Sequence, residues 1–227
     1  MRQKQDFFTA LDGRVKFVRG KYNITSDPIF LAAFVDAAAG MTILDVGIGT
    51  GGAALALLSR VSNAAVTGID VSEDILAECA ANAKLNGRDI ELIHGDILKW
   101  RTNRTFDAVM TNPPYFVGTA RAGGMHHNAD LTAWVRACLR RVKPRGYFYC
   151  IIDAAASAEV IAAIHSGRAG DVTVVPLFGT AKRAFAERVL ISARAGSRGG
   201  TKIFSGIAMN DDRILRGAQS VGANFLA

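Results

Sequence analysis

The sequence predicts an α/β fold built on a mostly parallel sheet, with an antiparallel hairpin at one edge and a short N-terminal extension. Three observations carry this expectation. Continuous apolar runs of strand length, 42–46 and 106–111 among them, read as strands buried on both faces. Segments of helical character at 53–60, 72–86 and 131–141 separate such runs, as crossovers between parallel strands require. Between the strands expected at 172–175 and 188–193 no helical crossover fits, so the last pair should return as a hairpin.

Bulk properties set limits on this picture. A chain of 227 residues, half of them hydrophobic, can bury the core of one such domain and is short for two. Five prolines and no low-complexity tract argue against disorder, and no solenoid period is visible. Cys79, Cys138 and Cys150 are odd in number and lack metal-ligand spacing, which reads as reduced core cysteines of a cytoplasmic protein. No apolar run suits a signal peptide or a membrane span. The formal charge of +7 hints at a polyanionic partner.

Residues 1–40 should form the extension and 41–227 the domain proper. In the extension, Arg14 to Arg19 alternates basic with apolar residues as a short strand does. Ser26-Asp27-Pro28 then opens a helix expected over 29–39, with Ser26 or Asp27 as its cap and Pro28 in its first turn. The lead-in from Lys21 to Asp27 is either a lid over a cofactor or a plain polar entry to that helix. The domain begins with Thr42-Ile43-Leu44-Asp45-Val46 and the loop Gly47-Ile48-Gly49-Thr50-Gly51-Gly52, where glycines let the backbone approach a ligand at a helix N-terminus. Gly47, Gly49 and Gly52 satisfy a dinucleotide-binding pattern, with Asp70 ending the next strand, 65–69. Asp45, Gly47, Gly49 and Gly51 equally satisfy the pattern of S-adenosylmethionine (SAM) loops. A carboxylate at Asp45 suits the ammonium and sulfonium of SAM and not a pyrophosphate, but the loop alone leaves both open.

Later strands break the tie. A helix over 72–86, capped by Ser72 and ended at Gly87, leads to a strand at 90–93 and then to His94-Gly95-Asp96-Ile97. Asp96 can accept from an adenine amine there while Ile97 covers the ring, although a Gly-Asp surface turn would look the same. The strand 106–111 ends in Asn112-Pro113-Pro114-Tyr115, because Pro113 has no N–H for the ladder. Two prolines hold the backbone extended, so the Asn112 amide oxygen, the Pro113 carbonyl and the Tyr115 face can meet a planar group bearing an NH2. The remaining elements are a helix over 131–141 with Trp134, Val135 and Leu139 inward, a turn at 143–146, a strand at 147–152, a helix around 158–164 and the hairpin strands.

Asp45-Val46-Gly47-Ile48-Gly49-Thr50-Gly51, Asp70, Gly95-Asp96 and Asn112-Pro113-Pro114-Tyr115, in this order and spacing, resemble the class I SAM-dependent amino-methyltransferases. Within that superfamily the chain is similar to the bacterial tRNA adenine-N6 methyltransferases acting beside the valine anticodon, with Phe116 directly after the tetrapeptide as one ground. The resemblance implies a Rossmann-like class I methyltransferase fold with a seven-stranded sheet, and SAM as cofactor. It implies a cofactor site of Lys21, Asp27, Asp45, Gly47, Gly49, Gly51, Asp70, Val71, Asp96, Ile97 and Asn112. Asn112, Pro113, Pro114 and Tyr115 would be catalytic, accepting both hydrogens of the target N6 without a strong base. Tyr115 and Phe116 would hold a base splayed from a loop, with tRNA as the partner.

Two basic clusters offer an RNA surface: Arg136, Arg140, Arg141, Lys143 and Arg145 at one helix end, and Lys182, Arg183, Arg194, Arg198 and Lys202 near the hairpin. Either could equally be a solvated face. His126 and His127, without cysteine or carboxylate company, read as loop residues and not metal ligands. Two other functions use the same features: methylation of a protein glutamine at N5, and a non-catalytic SAM- and RNA-binding module.

Overall fold

A computed structural model describes residues 6–20, 25–114, 130–179, 184–217 and 220–221. Its centre is strand β3 (Thr42–Val46), whose last four residues are buried. The crossover helix α2 (Gly52–Arg60) returns the chain to β4 (Ala65–Asp70), and α3 (Glu73–Leu85) to β5 (Glu91–His94). The chain then crosses to the other side of β3 with β6 (Phe106–Thr111), helix α4 (Leu131–Leu139) and β7 (Val142–Asp153). These five strands are mutually parallel. After a 3-10 turn and α5 (Ser157–Ser166), β8 (Ala169–Phe178) and β9 (Arg188–Ala195) complete the expected hairpin, with β9 antiparallel to both β7 and β8.

The sheet differs from expectation at that edge. Among the described residues it has nine strands, because β10 (Thr201–Ile203) and β11 (Ile207–Ala208) both pair in parallel with the outer edge of β8. Seven strands form the expected sheet, and the hairpin is therefore not its rim. β8 runs well beyond 172–175 and tolerates Pro176 because that residue falls between the segments paired to β10 and to β11, where no ladder N–H is demanded. β7 starts at Val142 and not at 147: a register shift opposite Phe106 and Ala108 absorbs 143–146 as an irregularity inside the strand.

Period-two alternation divides the core into two layers. Ile43, Met110, Tyr149 and Ile151 face α1 (Asp27–Phe34), α2 and α3, while Leu44, Val46, Val109, Phe148 and Cys150 face α4 and α5. The three cysteines are free and buried.

Ahead of the sheet, β1 (Phe7–Ala10) and β2 (Val15–Val18) form a separate antiparallel pair, of which only the second strand was expected. The pair is fastened to α3, since Asn82 accepts from the Val18 N–H at 2.8 Å and Asn86 from the Lys16 N–H at 2.8 Å. Helix α1 stops at Phe34 and does not reach Ala39. The Arg60 guanidinium donates to the carbonyls of Ala32 (3.0 Å) and Val35 (2.7 Å), satisfying the open helix end, and Val35 turns extended. The expected Ser26 cap is not made by its side chain. Among the described residues no helix is long and apolar enough to cross a membrane, and no group of three or more His, Cys, Asp or Glu is placed to hold a metal.

Candidate active site

Val46 pairs with Ile69 on one side and Thr111 on the other, so the glycine loop, Asp70 and Asn112 leave the sheet side by side at the carboxyl ends of three neighbouring strands. In open α/β sheets this rim is where ligands bind. Gly47, Gly49 and Gly51 adopt left-handed φ values of 70°, 57° and 87°, which is why the loop needs glycines there. Among the bonds that hold it are Gly47 N–H to the Ile69 carbonyl (2.8 Å), Gly49 N–H to Asp70 Oδ2 (3.0 Å), and Asn82 Nδ2 to the Thr50 carbonyl (3.0 Å). Asp70 also accepts from the Ser72 N–H through Oδ1 (3.0 Å), so it shapes the loop and the start of α3 together.

Asp45 is the electrostatic focus. It is 2% exposed, and its Oδ2 has no hydrogen-bond partner. Burial, reinforced by the nearby Asp70 charge, pushes its carboxyl up to about 7, against a smaller opposing contribution from the Ala54 backbone. An orphaned buried carboxylate oxygen calls for a cation or a donor.

Asn112 stands on the wall of a cavity of about 220 Å3 that is also lined by Asp45, Gly47, Gly49 and Thr50. The end of its strand is pinned by the buried Thr111 hydroxyl, which donates to the Val46 carbonyl (2.8 Å) and accepts from the Trp134 indole N–H (3.1 Å). Pro113 is buried and Pro114 exposed. Thr25 and Pro28, from residues 1–40, also line the cavity, and Ile75 of α3 adds an apolar wall. Thr25 lies in the 21–27 lead-in read as a lid or a plain helix entry, Pro28 was read only as a helix opener, and Ile75 was not singled out, because nothing local marks a residue that reaches the loop from a distant element. A depression of about 440 Å3 opens at the opposite rim beside Asn63, Glu91 and Arg104. It contains none of the expected site residues, and its Glu91 is already bonded to Arg104 at 2.6 Å.

Other expected residues lie elsewhere. Asp27 forms an ion pair with Arg188 (3.1 Å), which also reaches Asp153 (3.3 Å); its neighbours Thr25 and Pro28 line the cavity and it does not. Asp96 shares the rim, but its Oδ1 accepts from the Leu98 N–H (2.9 Å) and its Oδ2 is 3.7 Å from Lys99. Ile97 is buried, and Val71 is 64% exposed. Arg194, expected at the substrate, is at the end of the sheet away from the cavity. On β9, Arg188 opposes Asp153 at the site rim whereas Arg194 opposes Tyr147, six residues or about 20 Å away. The cluster around Arg141 and Lys143 lies at that far rim as well, since Lys143 bonds Asp107 where β6 begins. Lys21, Tyr115, Phe116, Lys182, Arg183, His126 and His127 fall outside the described residues.

Comparison with known proteins agrees with this geometry. A methyltransferase-domain family model matches residues 43–146. Over 157 residues the chain is 27% identical to a tRNA1(Val) (adenine(37)-N6)-methyltransferase of Phocaeicola vulgatus, covering 65% of this chain and 67% of that protein. Over 76 residues it is 43% identical to a release factor glutamine methyltransferase of Flavobacterium psychrophilum, covering 33% of this chain and 27% of that protein. Matches to curated relatives thus span from about a quarter to two thirds of their lengths. Among solved structures, one from Agrobacterium tumefaciens described as a predicted O-methyltransferase superposes with a TM-score of 0.73 at 23% identity, covering 87% of this chain and 99% of that one. Residues 43–146 therefore match a methyltransferase domain, the chain has a Rossmann-like class I fold, and S-adenosylmethionine is the cofactor that this match and fold imply.

Proposed function

We propose that the protein methylates N6 of an adenine in RNA, with an anticodon-loop adenosine of a valine-type tRNA as substrate. The observation that carries this reading is the position of Asn112 on the wall of the cavity that holds Asp45 and the glycine loop. The residues fit the cofactor: the orphaned Asp45 oxygen suits a cationic ligand, and Asp70 borders the loop. When bound, S-adenosylmethionine supplies an electrophilic methyl group. Asn112 Oδ1 and the Pro113 carbonyl would accept the two hydrogens of the target amine, drawing its lone pair out of conjugation with the ring. Held by Asp45 and the glycine loop, the cofactor would supply its methyl group to that nitrogen and leave as S-adenosylhomocysteine, and the amine's surplus proton would pass to solvent. Positioning supplies most of the rate, so no strong base is needed. Tyr115 and Phe116 would hold the splayed base, and the extension of residues 1–40 would close over the cofactor through Thr25 and Pro28. The cytoplasm is the compartment this substrate requires.

A second reading, methylation of a glutamine side-chain amide in a protein, is supported by the 43% identical relative, since a planar NH2 suits the same acceptors. Nuclease digestion and mass spectrometry of tRNA treated with enzyme and SAM separates the two. N6-methyladenosine in an anticodon-loop fragment is the expected result; label confined to protein glutamine would replace the first reading with the second.

A further inference from the structure

Several of the described cations stand at the two rims of the sheet. At the cavity rim Arg188 is committed to Asp27 and Asp153, and Lys99 lies 3.7 Å from Asp96. At the opposite rim Arg145, Arg168, Arg198 and Lys202 are exposed and Arg194 is half-buried, and none of the five has a carboxylate partner among the described residues. They stand on or beside four adjacent strands in the order β10, β8, β9, β7, a row of about 15 Å at ordinary strand spacing. Tyr147, 39% exposed, lies across from Arg194 in the same row.

The backbone adds a second observation. Arg145 and Arg168 have φ values of 67° and 63°, in the left-handed region where a Cβ is disfavoured. Gly167, next to Arg168, has an ordinary φ of −83°, so the glycine is not where the backbone would use it. Both arginine side chains are exposed, so packing does not repay the strain. Folding would favour glycine at each of these two positions, and arginine is present.

We infer that this rim is a second docking surface, one that binds the phosphate backbone of RNA away from the cofactor cavity. The inference rests on RNA being the substrate. The rims are about 20 Å apart along the strands, so one RNA can present a loop at the cavity and place more distant phosphates against the arginine row. Unpaired cations in a row match a polyanion, and Tyr147 offers a flat face beside them.

The test is the double variant Arg145→Gly, Arg168→Gly, because glycine suits both backbone conformations and the fold should be kept. Its melting temperature should equal or exceed that of the parent, with SAM affinity unchanged. Fluorescence anisotropy with labelled bulk tRNA across a salt series should show affinity reduced about tenfold at low salt, and a slope of log affinity against log salt shallower by about two. If the parent methylates tRNA adenosine and the variant binds tRNA with the same slope, the docking surface is wrong and the proposed reaction stands. Loss of binding to poly-glutamate but not to tRNA would likewise overturn it in favour of an acidic protein partner. A parent chain that neither binds nor methylates tRNA overturns both.

Discussion

Asp45 and Asp107 lie on adjacent strands of one sheet, at opposite rims, and their surroundings are reversed. Asp107 accepts from the Thr42 N–H (2.8 Å), the Thr42 hydroxyl (2.7 Å) and Lys143 (2.9 Å), and the Lys143 bond, helped by Thr42, holds its carboxyl down at about 2. Asp45 is buried with one oxygen unmatched and is pushed up to about 7. Glu91 repeats the Asp107 pattern, held down near 2 by Arg104. The difference teaches where the molecule keeps its unmet electrostatic demand. The carboxylates where strands begin are satisfied internally, whereas the rim where strands end leaves a carboxylate waiting for a cation.

The comparison can be broken most sharply at Asn112. Asn112→Ala should lower single-turnover methyl transfer by about two to three orders of magnitude while leaving SAM affinity nearly intact, because the residue is assigned to the target amine. Transfer within tenfold of the parent would remove Asn112 from the chemistry. Next comes the pH response of Asp45. Its folded value lies above the unfolded 3.8, so the folded state holds the extra proton between pH 3.8 and about 7. The stability it contributes is present below 3.8 and lost as pH rises through that window, by roughly 4 kcal/mol at most. Thermal melts without cofactor should therefore fall in stability from pH 5 to 7, the fall should shrink in saturating SAM, and Asp45→Asn should abolish it. A flat parent profile would mean that Asp45 is already satisfied.

Asp70→Ala should weaken SAM binding by about 1.5–3 kcal/mol in calorimetry, since it removes both a candidate ribose partner and the brace on Gly49. The smallest effect is expected at the satisfied carboxylate, Asp107. Lys143→Met should cost only about 0.5–1 kcal/mol in chemical denaturation, less in high salt, because both partners are about a third exposed and Thr42 keeps its two bonds to Asp107. With its folded carboxyl held low, Asp107 contributes stability above pH 3.8 that disappears as pH falls through about 2, the reverse of the Asp45 profile.

The parts of the fold that were legible in the sequence are those whose signal is local. The β3–glycine loop–α2 unit and the proline-ended β6 carry their own instructions in consecutive residues. What escaped is decided by contacts across long stretches of chain. Helix α1 ends at Phe34 because Arg60, more than twenty residues later, satisfies its carbonyls, and Asp27 is claimed by Arg188, 161 residues away. β10 was missed because all three of its residues are exposed and show no alternation, and β11 has only two residues. Charge composition revealed a basic chain but not which rim holds the cations, because the antiparallel course of β9 puts Arg188 and Arg194 at opposite ends.

The glycine loop also has a sulfur packed behind it. A side-chain carbon at Gly51 would lie 2.9 Å from Cys79 Sγ, and Cys79 is fully buried with its thiol pushed up to about 12 by burial and the neighbouring Asp45 and Asp70 charges. An alkylating reagent can reach that sulfur only after the loop has lifted or α3 has moved outward. The rate of Cys79 labelling is thus a clock for opening of the cofactor cradle, and a bound cofactor that holds the loop down would slow it.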